Sequence, residues 1–342
     1  MSDTPGAGPR NLITDVPGLK VGQAHDVAAR SGVTVILPDE PAVAACDVAG
    51  GAPGTRETDA LSPETLVEHA DAVVLSGGSV YGLAAADAVA AVLGARGVGF
   101  RLAPSSPAPP SPIVPAAILF DLANGGAKDW GEDPPYRRLA KAALAAAAED
   151  FALGTAGAGF GARVGPLKGG TGSASAITAD GIIVGAIAAV NAGGSATAHG
   201  SRAFWAAPFE LDAEFGGLGP AGLAALPDDW AADRLANIGP RNTTIACVAT
   251  NIALTQAQAK RVAIMAQDGL ARAIRPAHAP FDGDVVFALS TARRALAEPV
   301  NLTIARIGAL AADCLARAIA RGVYEATSWE GDGPPAWRDL PA

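Results

Sequence analysis

Very little in this chain suits metal, disulfide or nucleic-acid chemistry. It has three cysteines, Cys46, Cys247 and Cys314, an odd number without CxxC or zinc spacing. That excludes a disulfide framework, and two of the three sit in apolar runs, as buried thiols of a reducing compartment do. His25, His69, His199 and His278 are scattered, and none has a second His or Cys at ligand spacing, so no metal centre is expected. Lys and Arg number 25 against 34 Asp and Glu, a net charge of −9 that argues against a nucleic-acid partner. No run of 18 apolar residues is free of glycine or polar breaks, so no membrane span is expected. Residues 1–10 are rich in Gly, Pro and Ser and have no apolar h-region. A cytoplasmic protein is the expectation. The Walker Lys-Ser/Thr and the G-x-S-x-G elbow are both missing. GxG fragments occur, but no acid about 20 residues on completes a dinucleotide frame, and no cofactor is expected.

What is abundant is apolar surface and glycine. Half of the 342 residues are apolar and 17% are charged, enough for a large core. Strands are expected at Asn11–Val16, Gly32–Leu37, Ala42–Val48, Ala72–Leu75, Ile113–Leu122 and Ile182–Val190. Helices are expected from Ser62-Pro63-Glu64, after Ser76-Gly77-Gly78-Ser79 to Leu93, over Tyr136–Asp150, from Thr255 to Ile274, and over Ile304–Arg321. Thr255 and Gln258 have capping-box spacing. Between these elements lie Gly50–Asp59, Gly154–Gly165 and Leu167–Ser175, whose glycines point to close approach of another backbone or a substrate. The Ser76–Gly82 turn reads either as an anion site or as close backbone packing. His199 to Pro240 reads as a long exposed loop, a natural place for a chain break.

Arg241-Asn242-Thr243-Thr244-Ile245-Ala246-Cys247-Val248 carries the most chemistry. Thr243 stands at the mouth of a buried strand, where a nucleophile can be held rigidly. Were the Asn242–Thr243 bond cut, its free α-amine, with an ordinary pKa of about 7.7–8.0, could act as base for its own hydroxyl. Asn-Thr-Thr is equally a glycosylation sequon or a plain turn. Asn191, at a strand end before Gly193-Gly194, is a turn residue or an oxyanion donor. Asp282 and Asp284, at i and i+2 of an extended segment, share a face, and their repulsion raises one pKa. The alternative is an Asp-Gly turn or a cation loop.

Gly50-Gly51-Ala52-Pro53-Gly54-Thr55-Arg56-Glu57-Thr58, Ser76-Gly77-Gly78-Ser79, Val114–Leu122, Lys168-Gly169-Gly170-Thr171-Gly172 and Asn242-Thr243-Thr244 together resemble the DmpA-type peptidases. That family includes L-aminopeptidase/D-esterases, β-peptidyl aminopeptidases and endo-type 6-aminohexanoate-oligomer (nylon) hydrolases. The resemblance runs from Asn11 to Arg321. It implies one domain over 1–342 and an α/β fold, a four-layer αββα sandwich of the N-terminal-nucleophile type related to ornithine acetyltransferases. It implies autocleavage into 1–242 and 243–342, with Thr243 as nucleophile. Threonine there, Asn242 before it and the Asp282–Asp284 pair look like the nylon-hydrolase branch. Lys168 and Asn191 match residues lining the family's active site, and Tyr136 is a candidate substrate contact. A homotetramer of αβ units, with no cofactor, acting on a small linear amide or peptide, is implied. The rivals are an aminopeptidase on short α- or β-peptides and a Gly-rich ligand-binding protein without chemistry.

Overall fold

The computed structural model describes residues 4–103, 107–220, 223 and 242–341. Thirteen strands are found among them: β1 (Leu19–Asp26), β2 (Ser31–Pro38), β3 (Ala42–Val48), β4 (Thr55–Arg56), β5 (His69–Ala70), β6 (Val73–Ser76), β7 (Ala116–Ile118), β8 (Arg163–Val164), β9 (Leu167–Lys168), β10 (Gly170–Ile177), β11 (Ile183–Asn191), β12 (Thr243–Ile252) and β13 (Val285–Arg294). The helices are α1 (Ala84–Ala95), α2 (Tyr136–Ala145), α3 (Gln256–Ala266), α4 (Asp268–Ala273) and α5 (Val300–Tyr324).

Two sheets stack face to face. One has the order β10-β11-β12-β13-β3-β5 and the other β1-β2-β6-β7-β4. Ile245, Cys247 and Ala249 of β12 point into the space between the sheets, against Leu19, Ile36 and Leu75. Ala246 and Val248 point the other way, onto helices α3 and α5. Val33, Val35 and Val74 of the second sheet meet α1 and α2 on its outer face. The layers therefore run helix, sheet, sheet, helix, as expected. β12 is buried at every position. This is why it reads as an unbroken apolar run instead of an alternating one.

Small residues set the layer spacing. A Cβ added to Gly172 of β10 would lie 1.8 Å from the Ala318 carbonyl oxygen of α5, so helix and strand touch backbone to backbone. Thr255 caps α3 through a reciprocal box with Gln258, as its spacing predicts. All three cysteines are buried and free. Among the described residues no helix is long and apolar enough to cross a membrane.

Several local expectations differ. Residues 11–16 form a 3-10 turn, Ile13–Asp15, instead of a strand. Side chains satisfy its N–H groups: Asp15 takes those of Arg10 (3.1 Å) and Leu12 (3.3 Å), and Ser173 Oγ that of Ile13 (2.8 Å). With those donors used, no neighbouring strand is needed. Ser62-Pro63-Glu64 opens no helix, because the Thr65 hydroxyl donates to the carbonyls of Ala60 (2.7 Å) and Ser62 (2.9 Å) and closes a turn. The single helix expected to Ile274 is two, α3 and α4, and α2 stops at Ala145. Of the loop expected from His199 to Pro240, the part after Pro220 lies outside the described residues apart from Leu223.

Substituting Gly172→Ala should destabilise the fold by about 1–3 kcal/mol, the range for overpacking a close contact. Gly6→Ala is the control, since nothing lies within 4 Å of its added Cβ. Chemical denaturation of the two variants checks this, and equal midpoints would contradict the backbone contact.

Candidate functional site

β12 enters its sheet at Thr243, and its two neighbours decide what surrounds that residue. Antiparallel register with β11 pairs Thr243 with Asn191. On the other side, parallel pairing with β13 begins at Ile245 and Val285, and a bridge joins Asn242 to Asp282. One strand end thus has Asn191 on one flank and Asp282-Gly283-Asp284 on the other. Thr243, Asn191, Asp282 and Asp284 are all buried.

The Asn242 carbonyl is held from two directions. Gly283 N–H donates to it at 3.1 Å, and the Thr243 hydroxyl donates to it as well. A Cβ on Gly283 would sit 2.7 Å from Thr243 Oγ1 and 2.9 Å from the Ala52 carbonyl oxygen, so only glycine lets the turn come this close. The Gly50-Gly51-Ala52 loop covers the same turn. Ala52 N–H donates to the Asp282 carbonyl at 2.7 Å, and a Cβ on Gly50 would meet the Asp284 nitrogen at 2.3 Å. The density of glycine there is explained by backbone lying on backbone.

The two carboxylates have different surroundings. Asp284 Oδ1 accepts the Thr244 N–H at 2.7 Å, and Oδ2 accepts the His278 N–H at 3.1 Å and lies 2.9 Å from His278 Nδ1. Asp282 Oδ2 accepts the Ala279 N–H at 2.7 Å, while its Oδ1 is buried with no hydrogen-bond partner among the described residues. Burial, then the neighbouring charge of Asp284, pushes the Asp282 carboxyl up to about 6. The Asp284 hydrogen bond raises the His278 pKa against the opposing effect of burial. Neither metal spacing nor a G-x-S-x-G elbow singles out His278 in the sequence. Its place four residues before Asp282 was the available signal.

Lys168 is fully buried. Its ammonium donates to the carbonyls of Gly169 (2.8 Å), Ala162 (3.2 Å) and Gly159 (3.4 Å), and lies 4.8 Å from the Trp329 ring centre. Burial lowers its pKa to about 7, opposed by the charge of Asp121. Asn191 is oriented by Arg163 N–H on its Oδ1 (3.0 Å) and by its own Nδ2 on the Phe120 carbonyl (3.1 Å).

Tyr136 does not face a substrate-accessible surface. It is fully buried among the residues between α1, α2 and the second sheet, with its hydroxyl donating to Ser31 Oγ at 3.1 Å. Its ring occupies the space where a Cβ on Gly78 would go, 2.0 Å away, so it fills the core. The Ser76–Gly82 turn does hold an anion, an internal one: Gly78 N–H donates to Asp121 Oδ1 at 2.7 Å. No group of three or more His, Cys, Asp or Glu among the described residues could hold a metal ion.

A cleft of about 1820 Å³ opens beside this centre, walled by Arg163, Gly193 and Trp329 among others. Thr243 and the two aspartates do not line it.

The model of Peptidase family S58 matches residues 11–335. An uncharacterized aminopeptidase of Mycobacterium tuberculosis (strain ATCC 25618 / H37Rv) is 44% identical, over 96% of this chain and 98% of its own. A 6-aminohexanoate-oligomer endohydrolase of Kocuria sp. (strain KY2) is 29% identical, over 83% of this chain and 76% of its own. Among solved structures, the L-aminopeptidase D-Ala-esterase/amidase of Ochrobactrum anthropi, described as a variant of the Ntn hydrolase fold, superposes with a TM-score of 0.66. It is 22% identical and the match covers 95% of this chain and 89% of that one. A Pyrococcus horikoshii OT3 protein gives 0.69 at 24% identity, over 97% and 91%. These two likenesses speak for the fold, and they agree with the layered α/β sandwich.

The raised carboxyl of Asp282 makes a prediction for the uncut chain. A group whose folded pKa lies above its unfolded value adds stability below the unfolded value of about 3.9 and loses it as pH rises through the folded one. With Thr243→Ala as the uncut background, its stability relative to the same chain carrying Asp282→Asn should therefore fall by about 2 kcal/mol between pH 4 and pH 7, by linkage. Urea denaturation at intervals of one pH unit measures this. A difference that does not change with pH would remove the perturbed carboxyl.

Proposed function

The chain belongs to peptidase family S58, and from that premise we propose that it is a self-processing amide hydrolase whose nucleophile is the hydroxyl of Thr243. One observation carries the reading. The carbonyl of the peptide bond just before Thr243 accepts both the Thr243 hydroxyl and the Gly283 N–H.

In the uncut chain the Thr243 Oγ1 attacks the Asn242 carbonyl carbon. Negative charge develops on the oxygen that Gly283 N–H already contacts, and one such donor is worth about 2.7–4 kcal/mol in other acyl-transfer enzymes. The C–N bond breaks, the nitrogen takes the hydroxyl proton and becomes the free amine of Thr243, and an ester joins Asn242 to the side chain. Water cleaves that ester, leaving a carboxylate on Asn242 and restoring the hydroxyl. The new amine forms one residue after Asn242, which bridges Asp282, and the Oδ1 of Asp282 is buried with no partner among the described residues. An ammonium there would satisfy it.

In the mature enzyme the amine accepts the hydroxyl proton while Oγ1 attacks a substrate amide, and returns it to the leaving amine. Asp282 and Asp284 orient the amine, with His278 steadying Asp284. Asn191 supports the oxyanion. Lys168, with its hydrogens on three carbonyls, acts through its charge, which disfavours a protonated amine nearby.

The pieces 1–242 and 243–342 stay together as one domain, because the eight register pairs between β11 and β12 cross the cut. A homotetramer of such αβ units is part of the same proposal. The substrate is a small linear amide, with 6-aminohexanoate oligomers the first choice on the threonine and paired aspartates. A second reading, aminopeptidase action on short α- or β-peptides, is favoured by the name carried by the relative that is 44% identical. Product length separates them: single N-terminal residues in one case, mixed shorter oligomers in the other.

Intact mass of fresh protein should give Met1–Asn242 and Thr243–Ala342, and N-terminal sequencing of the smaller piece should read Thr-Thr-Ile-Ala-Cys. Thr243→Ala should be folded, uncut and inactive, while Thr243→Ser retains the hydroxyl and some processing. An active uncut chain would sink the assignment.

Once processing is established, Asp282→Ala or Asp284→Ala should lower release of new amino groups from a 6-aminohexanoate oligomer by about 10²–10⁴-fold, the scale of acid–base assistance. Full activity in both variants would remove the aspartates from the mechanism.

A further inference from the structure

The described residues of the cleft beside Asn191 have a net charge opposite to that of the molecule. The chain as a whole has 34 acidic residues against 25 basic ones. Among the described residues, the cleft wall has four arginines, Arg30, Arg163, Arg202 and Arg275, against two acids, Glu330 and Asp332. Both acids are exposed.

The arginines are held by backbone and rings. Arg30 donates to the carbonyls of Asn124 (3.1 Å), Asp332 (3.0 Å) and Glu330 (3.4 Å), and stacks 4.6 Å over Trp329. Arg202 donates to the Leu340 carbonyl at 3.2 Å and lies 4.2 Å over Trp337, and its Nε is buried with no partner among the described residues. Arg275 lies 5.7 Å over Trp205. The Arg163 side chain is exposed, and no described residue accepts from its guanidinium. Arg30, Arg163 and Arg202 thus keep their charge without a carboxylate from the described residues. Such an array raises the local potential and attracts anions.

Backbone hydrogen bonds also tie the cleft wall to the segments that carry the Thr243 centre. Arg163 contributes its backbone N–H to Asn191 Oδ1 at 3.0 Å. Ser195, four residues past Asn191, exchanges two backbone hydrogen bonds with Arg275 (2.9 and 3.0 Å), three residues before His278. Trp205, Trp329 and Leu167 add apolar wall between the charges.

We propose that this cleft is a carboxylate-binding subsite, which takes the carboxylate-bearing end of a linear amide, with Arg163 and Arg202 as its ion-pairing donors and the tryptophans along the chain. The inference rests on the hydrolase reading for the ligand's role as substrate. The binding itself does not require turnover. A guanidinium fork matches a carboxylate with two parallel hydrogen bonds.

The test is calorimetric titration of the purified protein with N-acetyl-6-aminohexanoate and with its carboxamide, which lacks the charge. The acid should bind about fivefold to tenfold more tightly at low salt, the range for a partly exposed charge-assisted contact, and added salt should narrow the gap. Arg163→Gln should reduce the preference and Arg163→Glu should reverse it. Arg202→Gln should reduce it too. Equal affinities, no binding of the acid, or a preference untouched by all three substitutions would overturn the proposal. Oligomer hydrolysis is followed in the same samples. Loss of hydrolysis with the acid preference intact counts against the hydrolase reading alone. Hydrolysis without any acid preference counts against the subsite alone.

Discussion

The turn Asp282-Gly283-Asp284 lies against Asn242-Thr243 with no side chain between them, and the rest of the site depends on that contact. It exists because β12 and β13 run parallel, so that both strands begin at the same end of the sheet. Parallel neighbours cannot be joined by a hairpin, and the return is made by α3, α4 and the loop that carries His278. The same crossover therefore brings three ionisable groups to the start of β12. With any residue larger than glycine at position 283, the added Cβ would lie 2.7 Å from the Thr243 hydroxyl and the turn would have to retreat.

Burying so many polar groups is costly unless each is paired. Here the partners are mostly backbone. Asp284 takes N–H groups from Thr244 and His278, Asp282 takes one from Ala279, and Lys168 gives its hydrogens to three carbonyls. Backbone donors are fixed by the strands and loops, so these charges are oriented without depending on flexible side chains. Among the described residues the imbalance is confined to one atom of the pair, Asp282 Oδ1. A carboxyl raised to about 6 and an ammonium lowered to about 7 titrate close to neutrality, where proton transfer is useful.

Glycine has two different uses in this fold. At Gly172 it lets a helix settle on a sheet, and at Gly50 and Gly283 it lets loops cover the reacting end of β12. At Gly172 and Gly50 backbone approaches backbone, and at Gly283 it approaches both the Thr243 side chain and the Ala52 carbonyl. The Gly-rich turn at Ser76 shows the limit of reading such segments by composition. Its N–H groups do face an anion, but the anion is Asp121 of the same chain.

The apolar run after Thr243, the Thr255–Gln258 box and the separation of helices from strands were legible along the chain, because hydrophobic period and capping act within a few residues. So was the i, i+2 placement of Asp282 and Asp284. The family, and with it the layered fold, was indicated separately, by the resemblance of Gly50–Thr58, Ser76–Ser79, Val114–Leu122, Lys168–Gly172 and Asn242–Thr244 to the DmpA-type peptidases. Tyr136 was misplaced, because an aromatic at a helix start has the same local signature whether it faces a cleft or a core. His278 was missed, because its partner, Asp284, is reached through a left-handed residue and a turn that no periodicity announces. Residues 11–16 were read as a strand because the Ser173 hydroxyl that occupies the Ile13 N–H comes from 160 residues away. The sequence by itself determined many of the strand and helix segments, though not residues 11–16 or β10, and which side chains could do acyl chemistry. Only the tertiary structure decided which of those side chains meet, since strand order, parallel register and the closeness of two backbones depend on partners far apart in the chain.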